Sequence, residues 1–98
     1  MVLPRDETER LSKTVFGQVH RLAIMKAIAD SNGRVNPTEL AQQLGFASQS
    51  ALQASLRDLV EAGLLERRPN DGGRTYYDRA DSTAWAFAQE LADRSGSS

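Results

Sequence analysis

Residues 36–63 read NPTELAQQLGFASQSALQASLRDLVEAG, and their residue types spell out two helices joined by a tight bend. Asn36 offers a side-chain oxygen to the first amides of a helix, Pro37 suits the first helical position, and Glu39 is spaced to reach back and close a capping box. Val35 and Leu40 flank that start as a hydrophobic staple. Leu40, Ala41 and Leu44 then recur on one face at helical spacing. Gly45 stops the helix, because an achiral residue tolerates the left-handed backbone of such an ending. Phe46 and Ala47 make the bend, and Ser48 caps a second helix. Leu52, Leu56 and Leu59 form the apolar stripe of that helix, with Ser55 beside them. Gly63 ends it, and Leu64 is placed to fold back on Leu59 as Schellman endings favour.

The other side of the second helix carries Gln49, Ser50, Gln53, Ala54 and Arg57. A step of about 100° per residue puts these side chains together. Glutamine can pair two-pronged with adenine, serine can serve several bases, and Arg57 can take a guanine or a phosphate. A solvated face on a small helical domain would have the same look, so this face alone leaves both readings open.

The chain has 98 residues, enough for one domain with one modest core. Its 40% hydrophobic and 26% charged content is that of an ordinary globular protein. No apolar run approaches the roughly 20 residues that span a bilayer, and Met1 to Asp6 lack the basic and apolar segments of a secretory signal. With no cysteine there is no disulfide and no thiolate metal site, which fits a cytoplasmic protein. The net charge of −1 runs against the usual basic balance of nucleic-acid binders, so DNA binding would require the basic residues to gather on one surface.

Either side of the quoted stretch the pattern continues. Leu11, Val15, Val19 and Leu22 recur at helical intervals, with Asp6, Glu7 and Glu9 near the start where negative charge suits a helix. Gly17 either weakens one long helix or divides two, and a break near Phe16–Gly17 is the preferred reading. Residues 18–30 form a helix with a wide apolar face, as expected for burial on more than one side. Residues 64–68 and 74–79 read as two strands around the turn signal Pro69-Asn70-Asp71-Gly72-Gly73. Of the adjacent tyrosines, Tyr77 is expected to point inward. Ser82 caps a last helix running to about Asp93, followed by a disordered tail over 94–98. In that helix Trp85 and Phe87 lie about 200° apart, so one of them is left over for a partner, most simply a second copy of the chain.

Catalytic chemistry is missing. His20 is the only histidine, on a helix between Val19 and Arg21, and no nucleophile or phosphate-cradling motif accompanies it. No metal, cofactor or enzymatic activity is expected.

The order helices, paired helices, hairpin, helix resembles the winged helix-turn-helix regulators of bacteria and archaea. The nearest likeness is to the ArsR-like group and the next to the MarR-like group, over roughly residues 16–92. His20 to Met25 is similar to the helix ahead of the motif, Thr38 to Gly45 to its first helix, Ser48 to Leu65 to its recognition helix and wing entry, and Gly73-Arg74 with Tyr77 to its wing return strand. The resemblance implies a mainly α fold with a small β-hairpin, forming a single winged helix-turn-helix domain over residues 16–81. An N-terminal segment, 1–15, and a C-terminal helix, 82–93, would serve a homodimer. It further implies a repressor on double-stranded DNA. Gln49, Ser50, Gln53 and Ala54 would face bases, Arg57 a phosphate and Arg74 the wing contact, with Ser48 also among the DNA-binding residues and Arg67, Arg68 and Arg79 as further phosphate partners. Leu11, Val15, Trp85, Phe87, Ala88 and Leu91 would make the dimer interface. The chain departs from the metal-sensing members, since Leu40-Ala41-Gln42 stands where their cysteine motif lies. The alternative function is a winged-helix module that docks protein and reads no DNA.

Overall fold

A computed structural model describes residues 5–45, 50–69 and 72–96. Helix α1 (Arg5–Phe16) leads into α2 (Arg21–Asp30), a short strand β1 (Arg34–Val35) and the pair α3 (Pro37–Leu44) and α4 (Ser50–Glu61). Strands β2 (Leu65–Pro69) and β3 (Thr75–Arg79) follow, and α5 (Thr83–Gly96) closes the described chain. The break at Phe16–Gly17 is where the sequence places it. Helix α5 runs three residues beyond the expected end at Asp93, with Arg94 paired to Glu90 one turn back at 3.0 Å.

Helix α2 is the centre of the core. Leu22, Ile24 and Ile28 are fully enclosed and Met25 and Ala27 nearly so, because α1, α3, α4 and α5 all pack around it. Its ends are finished from outside. The buried Ser12 of α1 accepts the amide of Leu22 at 3.0 Å and donates to the Gln18 carbonyl. At the other end Arg79 of β3 donates to the carbonyls of Ile28 at 2.9 Å and Ala29 at 2.7 Å. These are the amides and carbonyls that a helix end leaves without intrahelical partners.

The paired helices form as their sequence dictates. The Asn36 side chain accepts the Glu39 amide at 3.1 Å, and Gly45 takes the left-handed backbone (φ 70°) that ends α3. At the end of α4, Gly63 (φ 82°) lets the Leu64 amide reach the Leu59 carbonyl at 2.9 Å and its own amide the Val60 carbonyl at 3.0 Å. This is the Schellman pairing. The bend and the cap at Ser48 lie outside the described residues.

The sheet has one more strand than the hairpin expected. Its order is β1-β3-β2, antiparallel throughout, with Arg34 opposite Asp78 and Val35 opposite Tyr77. Two residues are too few for period-two alternation to show in a sequence, so β1 exists only because β3 offers it an edge. Tyr77 is buried, as expected, and Arg67 stands opposite it on β2.

Helix α5 corrects part of the expected interface. Trp85, Ala88 and Leu91 point into the chain's own core, and the Trp85 indole donates to the Ala80 carbonyl at 2.9 Å. They are spaced three apart and share one helical face, which α2 and α1 cover. Phe87 is the aromatic left over. It is 45% exposed and meets the half-buried Phe16 edge-on at 6.4 Å, with Val15 and Val19 also exposed.

Replacing Ser12 by Ala leaves the Leu22 amide at the start of α2 without its acceptor in a dry site. A loss of about 1–3 kcal/mol is expected, read as a lower urea midpoint with an unchanged slope.

Candidate nucleic-acid interface

Two faces of α4 are chemically distinct. Leu52, Ser55, Leu56 and Leu59 are buried, whereas Ser50, Gln53 and Arg57 are exposed. Ala54 is half-buried at the margin. Ser48 and Gln49 lie outside the described residues. The polar face is therefore available over the described part of the helix.

The wing stands beside it. A cleft of about 480 Å³ is lined by residues 36–39 at the start of α3, by Gln53 of α4 and by residues 73–75 at the foot of β3. It brings Gln53 and Arg74 to one surface from elements about 20 residues apart, which no local pattern reveals. Glu39 is the acid in that lining.

The arginines expected on DNA divide by what they already hold. Arg57 and Arg67 are exposed, and their side chains make no hydrogen bond or ion pair among the described residues. Arg74 is exposed at the cleft. Arg68 belongs to a network on the outer face of the sheet: it meets Glu66 at 2.7 Å and Asp78 at 3.3 Å. Arg34 grips the same Asp78 with two bonds, at 2.7 and 3.0 Å, and lies 5.8 Å from the Tyr76 ring centre. Arg79 is a correction to the expected contacts. Its guanidinium is turned inward to cap α2, where three carbonyls occupy one nitrogen.

This sorting bears on the net charge. Glu7 pairs with Arg10, Asp30 with Lys26, Asp58 with Arg21, and Glu90 with Arg94. These four acids are thus matched to cations other than Arg57, Arg67 and Arg74, while Glu39 lies in the cleft beside Arg74.

Two carboxylates are shifted. The hydrogen bonds from Arg34, with Arg68 adding to them, hold Asp78 below its ordinary value of 3.8, and Asp78 in turn raises Arg34. Asp30 is lowered by its bonds to Lys26 and to the Gln89 amide, the latter at 2.9 Å. His20 sits 3.9 Å from Glu9 at the entry to α2. No trio of metal-ligating side chains occurs among the described residues, and none of their helices is long and apolar enough to cross a membrane.

Sequence reasoning missed Ser12, Arg21, Arg34 and Asp78. The one signal for Ser12 was its place on the apolar stripe of α1 near Val15 and Phe16. The pairings of Arg21 and of Arg34 span 37 and 44 residues, and no spacing rule reaches so far.

Residues 18–74 match the MarR family, more than half of the chain. The chain belongs to the MarR family. This family consists of winged helix-turn-helix DNA-binding transcription regulators and is not enzymatic. The likeness to the ArsR-like group is not supported. Both groups share the order of paired helices and hairpin on which that likeness rested. Solved structures agree on the fold. The reduced form of MarR from E. coli superposes with a TM-score of 0.65 at 20% identity, covering 97% of this chain and 77% of that one. Wild-type apo MarR from E. coli gives 0.64 at 18%, covering 99% and 79%. A MepR-like protein complexed with pseudoligands gives 0.59 at 17%, covering 91% and 62%. No curated protein matches the chain.

The Asp78 pairing makes a pH signature. A carboxylate whose folded-state pKa is depressed binds protons more readily in the unfolded chain, so stability rises with pH through that range. The contribution of Asp78 is full above its ordinary 3.8 and is lost as pH falls below it. Asp78→Asn is expected to flatten the stability curve between about pH 5 and pH 2, measured as urea midpoints.

Proposed function

We propose that the chain is a homodimeric repressor that reads an operator with helix 48–62 and wing 66–79. The observation that carries this reading is the shared surface of α4 and the wing, where Gln53 and Arg74 line one cleft and Arg57 projects from the same polar face as Gln53. Ser48, Gln49, Ser50 and Gln53 face base edges, with Ala54 at the margin. Arg57, Arg67 and Arg74 meet phosphates, the contacts that fix register. Arg68 contributes less, since two carboxylates already hold it. Such a regulator works where the DNA is, in the cytoplasm.

The apolar surface of Phe87, Val15 and Val19, with Leu11 and Phe16 half-buried beneath, supports a second copy at the α1–α5 side. Two copies would set their reading helices into successive major grooves about 34–36 Å apart.

Arg57→Ala and Arg74→Ala are each expected to weaken duplex binding and to flatten the slope of log affinity against log salt by about one. Wild-type slopes in both variants would remove them from the interface. Absence of any specific duplex binding at low salt would favour a protein-docking module instead. Phe87→Asp is expected to convert the dimer to a monomer in sedimentation, with a lower melting temperature as the stabilisation from assembly is lost; an unchanged mass would place the interface elsewhere.

A further inference from the structure

The buried side of α4 has two kinds of restraint. Leu52, Leu56 and Leu59 hold it to the core, but hydrophobic packing is non-directional and resists separation better than a small rotation. Arg21 adds direction. From the first turn of α2 its Nε donates to the Ser55 hydroxyl at 3.0 Å, and a terminal nitrogen donates to Asp58 Oδ2 at 2.7 Å. Ser55 is fully buried and the Arg21 side chain is 14% exposed, so the Ser55 arm is shielded from water, while Asp58, 52% exposed, holds the other arm at the surface. Its root is held as well, because the next amide, of Leu22, donates to the buried Ser12 hydroxyl.

We propose that Arg21 is a positioning residue for sequence discrimination, its two-pronged grip on Ser55 and Asp58 fixing the rotation and height of α4 against the core. The inference rests on the reading of α4 as the DNA-facing helix. Ser55 and Asp58 are three residues apart, one above the other on the helix, so two bonds from one rigid guanidinium prevent both sliding and turning. At about 100° per residue, Gln53, Arg57 and Ser50 lie roughly 160–220° around the helix from Ser55. The Ser55 prong is thus opposite the reading side chains, while the Asp58 prong flanks them, about 80–140° away. A 20° turn of α4 would carry their tips, at a radius of about 5–6 Å, through about 2 Å. That displacement exceeds the tolerance of a base-edge hydrogen bond. Phosphate contacts made by long arginines would survive it.

The test compares full-length wild type, Arg21→Met and Arg21→Lys on two duplexes, one enriched from a random pool by the wild type and one scrambled. Melting and amide hydrogen exchange are recorded alongside, without DNA. Arg21→Met is expected to keep wild-type affinity and salt slope on the scrambled duplex and to lose about tenfold or more on the enriched one, the scale of one base contact. Arg21→Lys, which restores the charge opposite Asp58 without the fork, is expected to recover only part of the loss. Exchange in α4 should quicken relative to α5. An unchanged ratio between the two duplexes, or equal losses on both that follow the fall in folded fraction, would overturn the proposal. Should Arg21→Met fail to fold, Ser55→Ala and Arg21→Lys are read by the same ratio. If the wild type enriches no duplex, the operator reading has failed by itself. The exchange comparison then decides the grip: unchanged α4 protection overturns it, and selective loss upholds it.

Discussion

A helix of ten residues cannot stand on its own propensity, and five of the residues of α2 are buried against other elements. Everything else in the fold is arranged to make that burial tolerable. Apolar side chains on several faces require neighbours on several sides, and α1, α3, α4 and α5 supply them. A helix so enclosed cannot finish its ends in water. Ser12 therefore serves the Leu22 amide in its first turn and Arg79 its last carbonyls, each from a different part of the chain. Those two side chains tie the terminal helix α1 and the wing strand β3 to the same pillar, which is how the sheet and the helices come to hold one geometry.

The electrostatics follow from that arrangement. Arg79 is committed to the end of α2 and Arg34 and Arg68 to Asp78, while the Arg67 side chain is exposed on the wing. The exposed ion pairs among these contribute little stability individually. Their larger effect is on the distribution of charge, because Glu7, Asp30, Asp58, Asp78 and Glu90 are each held beside a cation, while Glu39 and Glu61 stay exposed close to the α4 and wing surface.

Helix α4 shows how one element meets two demands. Its leucines bind it to the core, its opposite side is polar and open, and Arg21 crosses from α2 to fix the angle between them. Helix α5 divides in a similar way: Trp85, Ala88 and Leu91 complete the core, while Phe87 is left to the surface beside Phe16. The aromatic pair was legible as facing opposite ways. Which one faced outward depended on where α1 and α2 lay, and that is a property of the packed chain.

What the sequence determined by itself was local. Asn36 with Pro37, Gly45 and Gly63 act on their own immediate backbone, so the bounds of α3 and the end of α4 could be read directly. The alternation of Tyr76 and Tyr77 and the turn residues of 69–73 likewise sufficed for the hairpin. The tertiary structure decided the rest. It added β1, whose two residues carry no period of their own. It turned Arg79 inward and Trp85, Ala88 and Leu91 into the core, and it joined Gln53 to Arg74 across one cleft. The physical reason is the same in each case: these pairings close over many residues, and their energy exists only once the chain has brought the partners together.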